Sequence, residues 1–204
     1  MWDQRYGQDG WAYGTEPNDF LRSVADRVPP GPVLCLAEGQ GRNAVFMAGR
    51  GHRVVCVDSS AVGMARAAEL AASRGLALET HVADLGDFDL GSGWSGIIAI
   101  FAHFPESLRL RVHRGVVQAL APGGVFILEA YAPGQIELGT GGPPVPELLY
   151  DLEMLRQDLA GLELLHAEAL GREVVEGRYH TGPARVVQVL GRKPDPDAPR
   201  ARLP

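Results

Sequence analysis

The apolar residues of this chain gather in short runs, separated by longer stretches with helical spacing. Val33–Ala37, Arg53–Val57, Leu78–Ala83, Gly96–Ala102 and Val125–Tyr131 read as strands. Most of these runs are continuously apolar, as strands covered on both faces should be. Between them, helices are predicted over Arg42–Arg50, ended by Gly51, over Val62–Ser73, ended by Gly75, and over Ser107–Leu120, stopped by Pro122 and the Gly123-Gly124 turn. Ahead of the first strand, Asn18 is placed to cap a helix from Asp19 to about Arg27, which stops before Pro29-Pro30. Strands alternating with helices predict a parallel sheet with helices on both faces.

After Tyr131 the rhythm changes. A loop rich in glycine and proline, "APGQIELGTGGPPVPE", leads to a helix expected over about Glu147–Leu159. Two longer alternating stretches follow, about Leu162–Val174 and Ala184–Gly191, with no helix between them. They should form an antiparallel hairpin at the sheet edge. Residues 1–193 therefore read as one domain. Residues 194–204, with four prolines and few apolar side chains, are expected to be a disordered tail.

The length of 204 residues and the hydrophobic fraction of 46% suit one domain with a sizeable core. A formal charge of −6 argues against a broad grip on nucleic acid. No leader and no membrane-spanning run is expected. The two cysteines, Cys35 and Cys56, lie inside strand-like runs and read as reduced core residues of a cytoplasmic protein, with no metal site. Residues 1–20 hold Trp2, Tyr6, Trp11, Tyr13 and Phe20, which want burial.

The chemistry centres on "VLCLAEGQGRNAVFMA", Val33 to Ala48. From Gly39 it nearly spells the dinucleotide fingerprint, with Ala44 in the third small position. Gly39 and Gly41 would let the backbone turn and let a ligand approach it. Asp58, ending the second strand, stands where an acid meets ribose hydroxyls, or else caps the next helix with help from Ser59 or Ser60. Other features favour an adenosine-bearing cofactor without phosphate. Glu38 before Gly39 would repel a pyrophosphate and attract an ammonium. Asp84, in "VADLGDF", can accept from the adenine amine, or form a turn before Gly86. The closing hairpin replaces the further parallel strands of a dinucleotide fold.

These residues resemble class I S-adenosylmethionine-dependent methyltransferases, and within them the small tellurite-resistance and thiopurine-methyltransferase-like group. The resemblance rests on "WDQRYGQDGWAYGTEPNDFL", "LAEGQGRNAVFMA", "VVCVDSS", "VADL" and "LAPGGVFILEAY". It implies a Rossmann-like, seven-stranded, mostly parallel sheet with an antiparallel last strand. It implies S-adenosylmethionine as cofactor and a small-molecule methyl acceptor, a thiol or chalcogen nucleophile among the candidates. The family's loop usually carries an acid two positions before its first glycine; here those positions are Cys35 and Ala37, so Glu38 takes the ammonium in this reading. The cofactor set it implies is Tyr13, Ala37, Glu38, Gly39, Gly41, Asn43, Asp58, Ser59, Asp84, Leu85 and Phe101, with Asn43 capping the following helix or reaching the cofactor.

His103, Tyr131 and His180 follow strands or the last hairpin turn and are the candidate catalytic residues, each with a purely structural alternative. His52, His81, His113 and His166 read as surface or packing residues. Arg109, Arg111 and Arg114 read as a solvated helix face. Residues 1–20 are expected to fold over the cofactor as a lid. A non-catalytic S-adenosylmethionine-binding protein is the alternative function, and an NAD-binding Rossmann protein a weaker one.

Overall fold

A computed structural model describes residues 1–197, so part of the expected tail lies outside the described residues. Seven strands form one sheet: β1 (Val33–Leu36), β2 (Val54–Asp58), β3 (Glu79–Val82), β4 (Trp94–Ile100), β5 (Leu120–Tyr131), β6 (Glu163–Glu176) and β7 (His180–Arg192). Their order is β3-β2-β1-β4-β5-β7-β6. The first five are parallel, and β7 runs antiparallel between β5 and β6. The last strand is thus one place in from the edge, and β6 is the edge strand.

Alternation along the central strands divides the core in two. Val33 and Cys35 of β1, Ile98 and Ile100 of β4, and Val125 and Ile127 of β5 face one side. There they meet α2 (Asp19–Val24), α3 (Arg42–Gly49) and α4 (Ala61–Ser73) through Leu21, Met47 and Met64. Leu34, Leu36, Ile97, Ala99, Phe126 and Leu128 face the other side. They meet α5 (Glu106–Ala119) and α6 (Leu152–Asp158) through Val112, Val116 and Leu155. A short helix, α1 (Trp2–Tyr6), precedes all of these.

Asn18 caps α2 as expected: its side chain accepts the Leu21 N–H at 2.9 Å. Other details differ. The helix expected from Glu147 starts at Leu152, capped by Asp151. A 3-10 turn over Pro146–Leu148 precedes it, and Tyr150 N–H is drawn to the Tyr131 carbonyl at 3.0 Å. The hairpin strands run beyond their apolar stretches, to Glu176 and back from His180, because backbone pairing continues past the core. Arg109 is not on a solvated face: it is 5% exposed and donates to Asp158 at 2.7 Å, an oxygen His113 also contacts at 2.8 Å.

Candidate active site

β1 and β4 lie side by side, and the chain leaves them toward opposite edges of the sheet, which opens a crevice beyond their carboxyl ends. The residue just past each strand has left-handed backbone: Ala37 with φ 49° and Phe101 with φ 53°. Neither is glycine, so each costs about 1–2 kcal/mol of local strain. Both line a cavity of about 590 Å³. Every candidate site residue lines it too, except Gly39 and Gly41.

The two glycines are required for reasons other than the expected ligand approach. Gly39 has φ 63°, and a Cβ there would meet the Tyr6 hydroxyl at 2.6 Å. Gly41 has φ 88°, and its Cβ would meet Ala67 Cβ at 2.6 Å, so its smallness seats α3 on α4. Gly41 is also the N-cap of α3 and has no side chain to cap with. Glu38 supplies the cap: Oε1 accepts the N–H groups of Asn43 and Ala44, both at 2.9 Å. Burial pushes the Glu38 carboxyl up to about 7, against the pull of those N–H groups and of Arg42. A carboxyl so placed on a cavity wall suits a cationic ligand group. Asn43 caps nothing; its Oδ1 accepts the Asn18 N–H at 2.9 Å and ties down the end of the opening segment.

Asp58 bridges two loops. Oδ2 accepts the Gly39 N–H at 2.9 Å, and Oδ1 accepts the Ser60 N–H at 2.8 Å. Burial raises its carboxyl above the ordinary carboxylate range despite these bonds. Ser60, not Ser59, caps α4, accepting the Gly63 N–H at 3.0 Å; Ser59 is exposed on the cavity rim. Asp84 makes the turn to Gly86 N–H at 2.7 Å and still lines the cavity, next to buried Leu85.

At the other end the walls are aromatic. The His180 ring lies 4.3 Å from Tyr13, 4.6 Å from Phe101 and 5.2 Å from Tyr131, centroid to centroid. Two buried polar atoms there have no protein partner: Tyr131 Oη and His180 Nδ1. His103 differs. Its Nδ1 lies 2.6 Å from the Leu148 carbonyl, and its Nε2 accepts the Tyr131 N–H at 3.2 Å. Both nitrogens are engaged by backbone, and burial pushes the imidazole down to about 4, so the ring is a neutral clamp with no nitrogen left to take a proton. His180 is also held neutral, by burial first and then by Arg42.

The opening segment roofs the cavity. Asp3 accepts from the Ser60 hydroxyl. Ala12 N–H donates to Gln40 Oε1 at 2.8 Å, and Arg178 N–H donates to the Ala12 carbonyl at 2.9 Å. Trp2, Arg5, Tyr6 and Arg42 also line the cavity and were not among the candidates; Tyr179, which with His180 could face the substrate or fill a turn, lines it as well. Tyr6 carried a sequence signal as a buried aromatic; Arg5 and Arg42 carried none. Beneath the roof lies a buried ionic knot. Glu176 pairs with Arg42 at 2.5 Å and Arg172 at 3.0 Å, Arg172 also pairs with Glu129, and Asn18 Nδ2 donates to both glutamates at 2.8 Å.

A family model described as "Methyltransferase domain" matches residues 33–124, from β1 through the turn inside β5. That span holds the glycine loop, Asp58, Asp84 and the strained crevice together. Over that span the chain is similar to the class I S-adenosylmethionine-dependent methyltransferases. S-adenosylmethionine is the cofactor that this similarity implies. The chain is 29% identical over 150 residues to a 2-heptyl-1-hydroxyquinolin-4(1H)-one methyltransferase of Mycobacteroides abscessus, covering 71% of the chain and 66% of that relative's length. In structure it resembles TehB from Haemophilus influenzae, with a TM-score of 0.70 at 16% identity over 94% of this chain and 65% of that one. It also resembles a chain solved for the conversion of a disulfide bond into a thioacetal group in echinomycin biosynthesis, with a TM-score of 0.73 at 19% identity over 90% and 85%. At these identities the two structures speak for the fold alone. Among the described residues, no helix is long and apolar enough to cross a membrane.

Proposed function

We propose that this methyltransferase acts on a small, flat, largely apolar molecule, through a nucleophile that needs no strong base, a thiol or chalcogen first among them. One observation carries the reading: the rings of Tyr13, Phe101, Tyr131 and His180 line one end of the cavity, and within that cluster Tyr131 Oη and His180 Nδ1 are buried without a protein partner. Rings favour stacking on a flat acceptor, and the two orphan atoms favour one polar group on it. The acceptor in the name of the Mycobacteroides abscessus relative, a hydroxyquinolone, has that shape.

When bound, S-adenosylmethionine supplies a methyl group on a sulfonium whose leaving group is neutral. Glu38 would hold the ammonium, Asp58 the ribose hydroxyls, and Asp84 with Leu85 the adenine. Phe101 and Tyr13 present ring faces that suit a sulfonium. Tyr131 and His180 orient the acceptor. His103 keeps Tyr131 and the 148 loop in register. With His103 engaged and His180 held neutral by its surroundings, rate enhancement rests on positioning and on water exclusion by residues 1–20. We place this chemistry in the cytoplasm, in keeping with two buried, unpaired cysteines.

An acceptor panel tests the reading: aromatic thiols, selenols, hydroxyquinolones and arylamines, each with S-adenosylmethionine, followed by mass. Transfer to the flat thiols or hydroxyquinolones and not to the amines supports it. Tight binding of S-adenosylhomocysteine with no transfer to any member would point instead to a non-catalytic cofactor-binding protein.

A further inference from the structure

The cavity wall carries a cation that the fold leaves uncompensated. Arg5 is half-buried, and its guanidinium lies 5.0 Å from the Trp2 ring centroid and 4.7 Å from that of Tyr179. Its Nη1 donates to the Tyr13 hydroxyl at 2.8 Å. Among the described residues no carboxylate comes within salt-bridge distance of it. The other arginines near His180 are different: Glu176 neutralises Arg42, and Glu129 and Glu176 neutralise Arg172. An arginine fixed between two rings has lost little freedom still to lose on binding, and it keeps N–H donors to offer.

We propose that Arg5 is a specificity-determining residue that selects acceptors entering the cavity as anions, their oxygen or sulfur already ionised. This rests on the acceptor reading above and adds the charge state. Tyr13 connects the cation to the reacting end, since its hydroxyl takes the Arg5 N–H and its ring lies against His180. An acceptor that arrives ionised has no proton to lose. Its lone pair forms the bond to the methyl carbon, and the electron pair of the broken carbon–sulfur bond stays on the departing sulfur. That balance matches a site whose histidines are both held neutral.

The test uses 4-nitrobenzenethiol, an anion at neutral pH, and its neutral methyl thioether, which has nearly the same shape. Calorimetry of the full chain saturated with S-adenosylhomocysteine gives the affinity of each for wild type, Arg5→Gln and Arg5→Lys. Wild type should bind the thiolate about tenfold or more tighter than the thioether, on the scale of one charge-assisted hydrogen bond. Arg5→Gln should lose about that factor for the thiolate, with the thioether and S-adenosylhomocysteine changed less than about twofold; Arg5→Lys should retain part of it. In turnover the loss should fall on KM. No thiolate preference in wild type overturns the proposal, as does equal loss for both ligands. An equal loss of S-adenosylhomocysteine affinity would assign Arg5 to the cofactor and also overturn it. Methyl transfer to the thiol without any charge preference would leave the acceptor reading standing and remove only Arg5 from it.

Discussion

Replacing Asp58 by asparagine keeps the side chain's shape and removes its charge, and the structure gives the two consequences different sizes. In the free protein the carboxylate takes two backbone N–H groups, yet burial still raises its pKa above the ordinary 3.8. A carboxyl raised in the folded state contributes stability below its unfolded pKa, and that contribution is lost as pH rises through the folded value. At neutral pH the charge is therefore a burden on the free protein. Asparagine removes the burden but turns one N–H-accepting oxygen into an amide donor. These effects oppose, and the unliganded stability should change by less than about 1 kcal/mol. Cofactor binding should not cancel in this way. Ribose hydroxyls donating to a charged acceptor are worth about 1.5–3 kcal/mol each, so a loss near 2.7 kcal/mol, about 100-fold, is expected. Thermal shift reads both quantities. With S-adenosylhomocysteine at 100 times the wild-type Kd, wild type gains about 2.7 kcal/mol. For a domain of this size that is roughly 5–11 °C. In Asp58→Asn the same ligand concentration would only equal the new Kd, leaving about 0.4 kcal/mol, or roughly 1–2 °C. An equal ligand shift in both proteins would mean that Asp58 only staples the two loops, and the ribose assignment would fall.

Glu176→Gln should destabilise the fold by about 3–5 kcal/mol, roughly 6–20 °C in Tm, because Arg42 and Arg172 lose the shared charge that pairs them; a change under about 1 kcal/mol in urea denaturation would refute this. The Glu38 carboxyl, raised to about 7 by burial, gives the unliganded protein stability that is full below about 4.5 and lost as pH rises through about 7. Affinity for S-adenosylhomocysteine should rise over that same window, and a pH series of calorimetry on wild type and Glu38→Gln checks whether the trend vanishes with the carboxylate. Deleting residues 1–13 should leave one cooperative thermal transition and sharply weaken cofactor binding; hydrogen exchange in this segment should slow when S-adenosylhomocysteine is added, and equal protection in both states would make it permanent packing.

The parts of the fold legible in the chain were those with local causes. Continuous apolar runs gave β1, β4 and the core of β5, and Asn18 capped α2 because a cap acts within one turn. The crevice was legible because strand order decides where it opens. Contacts made across the fold were not legible. Arg109, Arg111 and Arg114 look alike along the helix, and only Asp158, distant in sequence, draws Arg109 inward. Arg5 is one cation in an aromatic, glycine-rich opening stretch until the 177–179 turn places Tyr179 against it. His103 reads as a base at a strand end, and only the Leu148 carbonyl and the Tyr131 N–H show that it is a clamp. The helix expected from Glu147 failed for a related reason: Tyr131 captures the Tyr150 N–H, so the chain stays extended until Asp151 can cap it.

Charge is not spread evenly around the cavity, and the unevenness has a direction. Glu38, Asp58 and Asp84 lie at the ends of β1, β2 and β3, on one side of the switch point, where a cationic, hydroxyl-rich and amine-bearing cofactor is best received. The orphan hydroxyl of Tyr131 and the neutral His180 lie on the other side, toward β5 and β7, and the Arg5 guanidinium reaches the Tyr179 ring before β7 from α1, which packs on α4. The strained residues Ala37 and Phe101 stand between the two ends. Strain persists only where the surroundings over-determine it. Here the surroundings are β1 and β4, hydrogen-bonded to one another through a three-residue register and buried on both faces. A backbone so held cannot relax when a ligand arrives, which is the condition under which positioning can replace acid–base chemistry. A site that polarised its ends and softened its middle would bind both partners and orient neither.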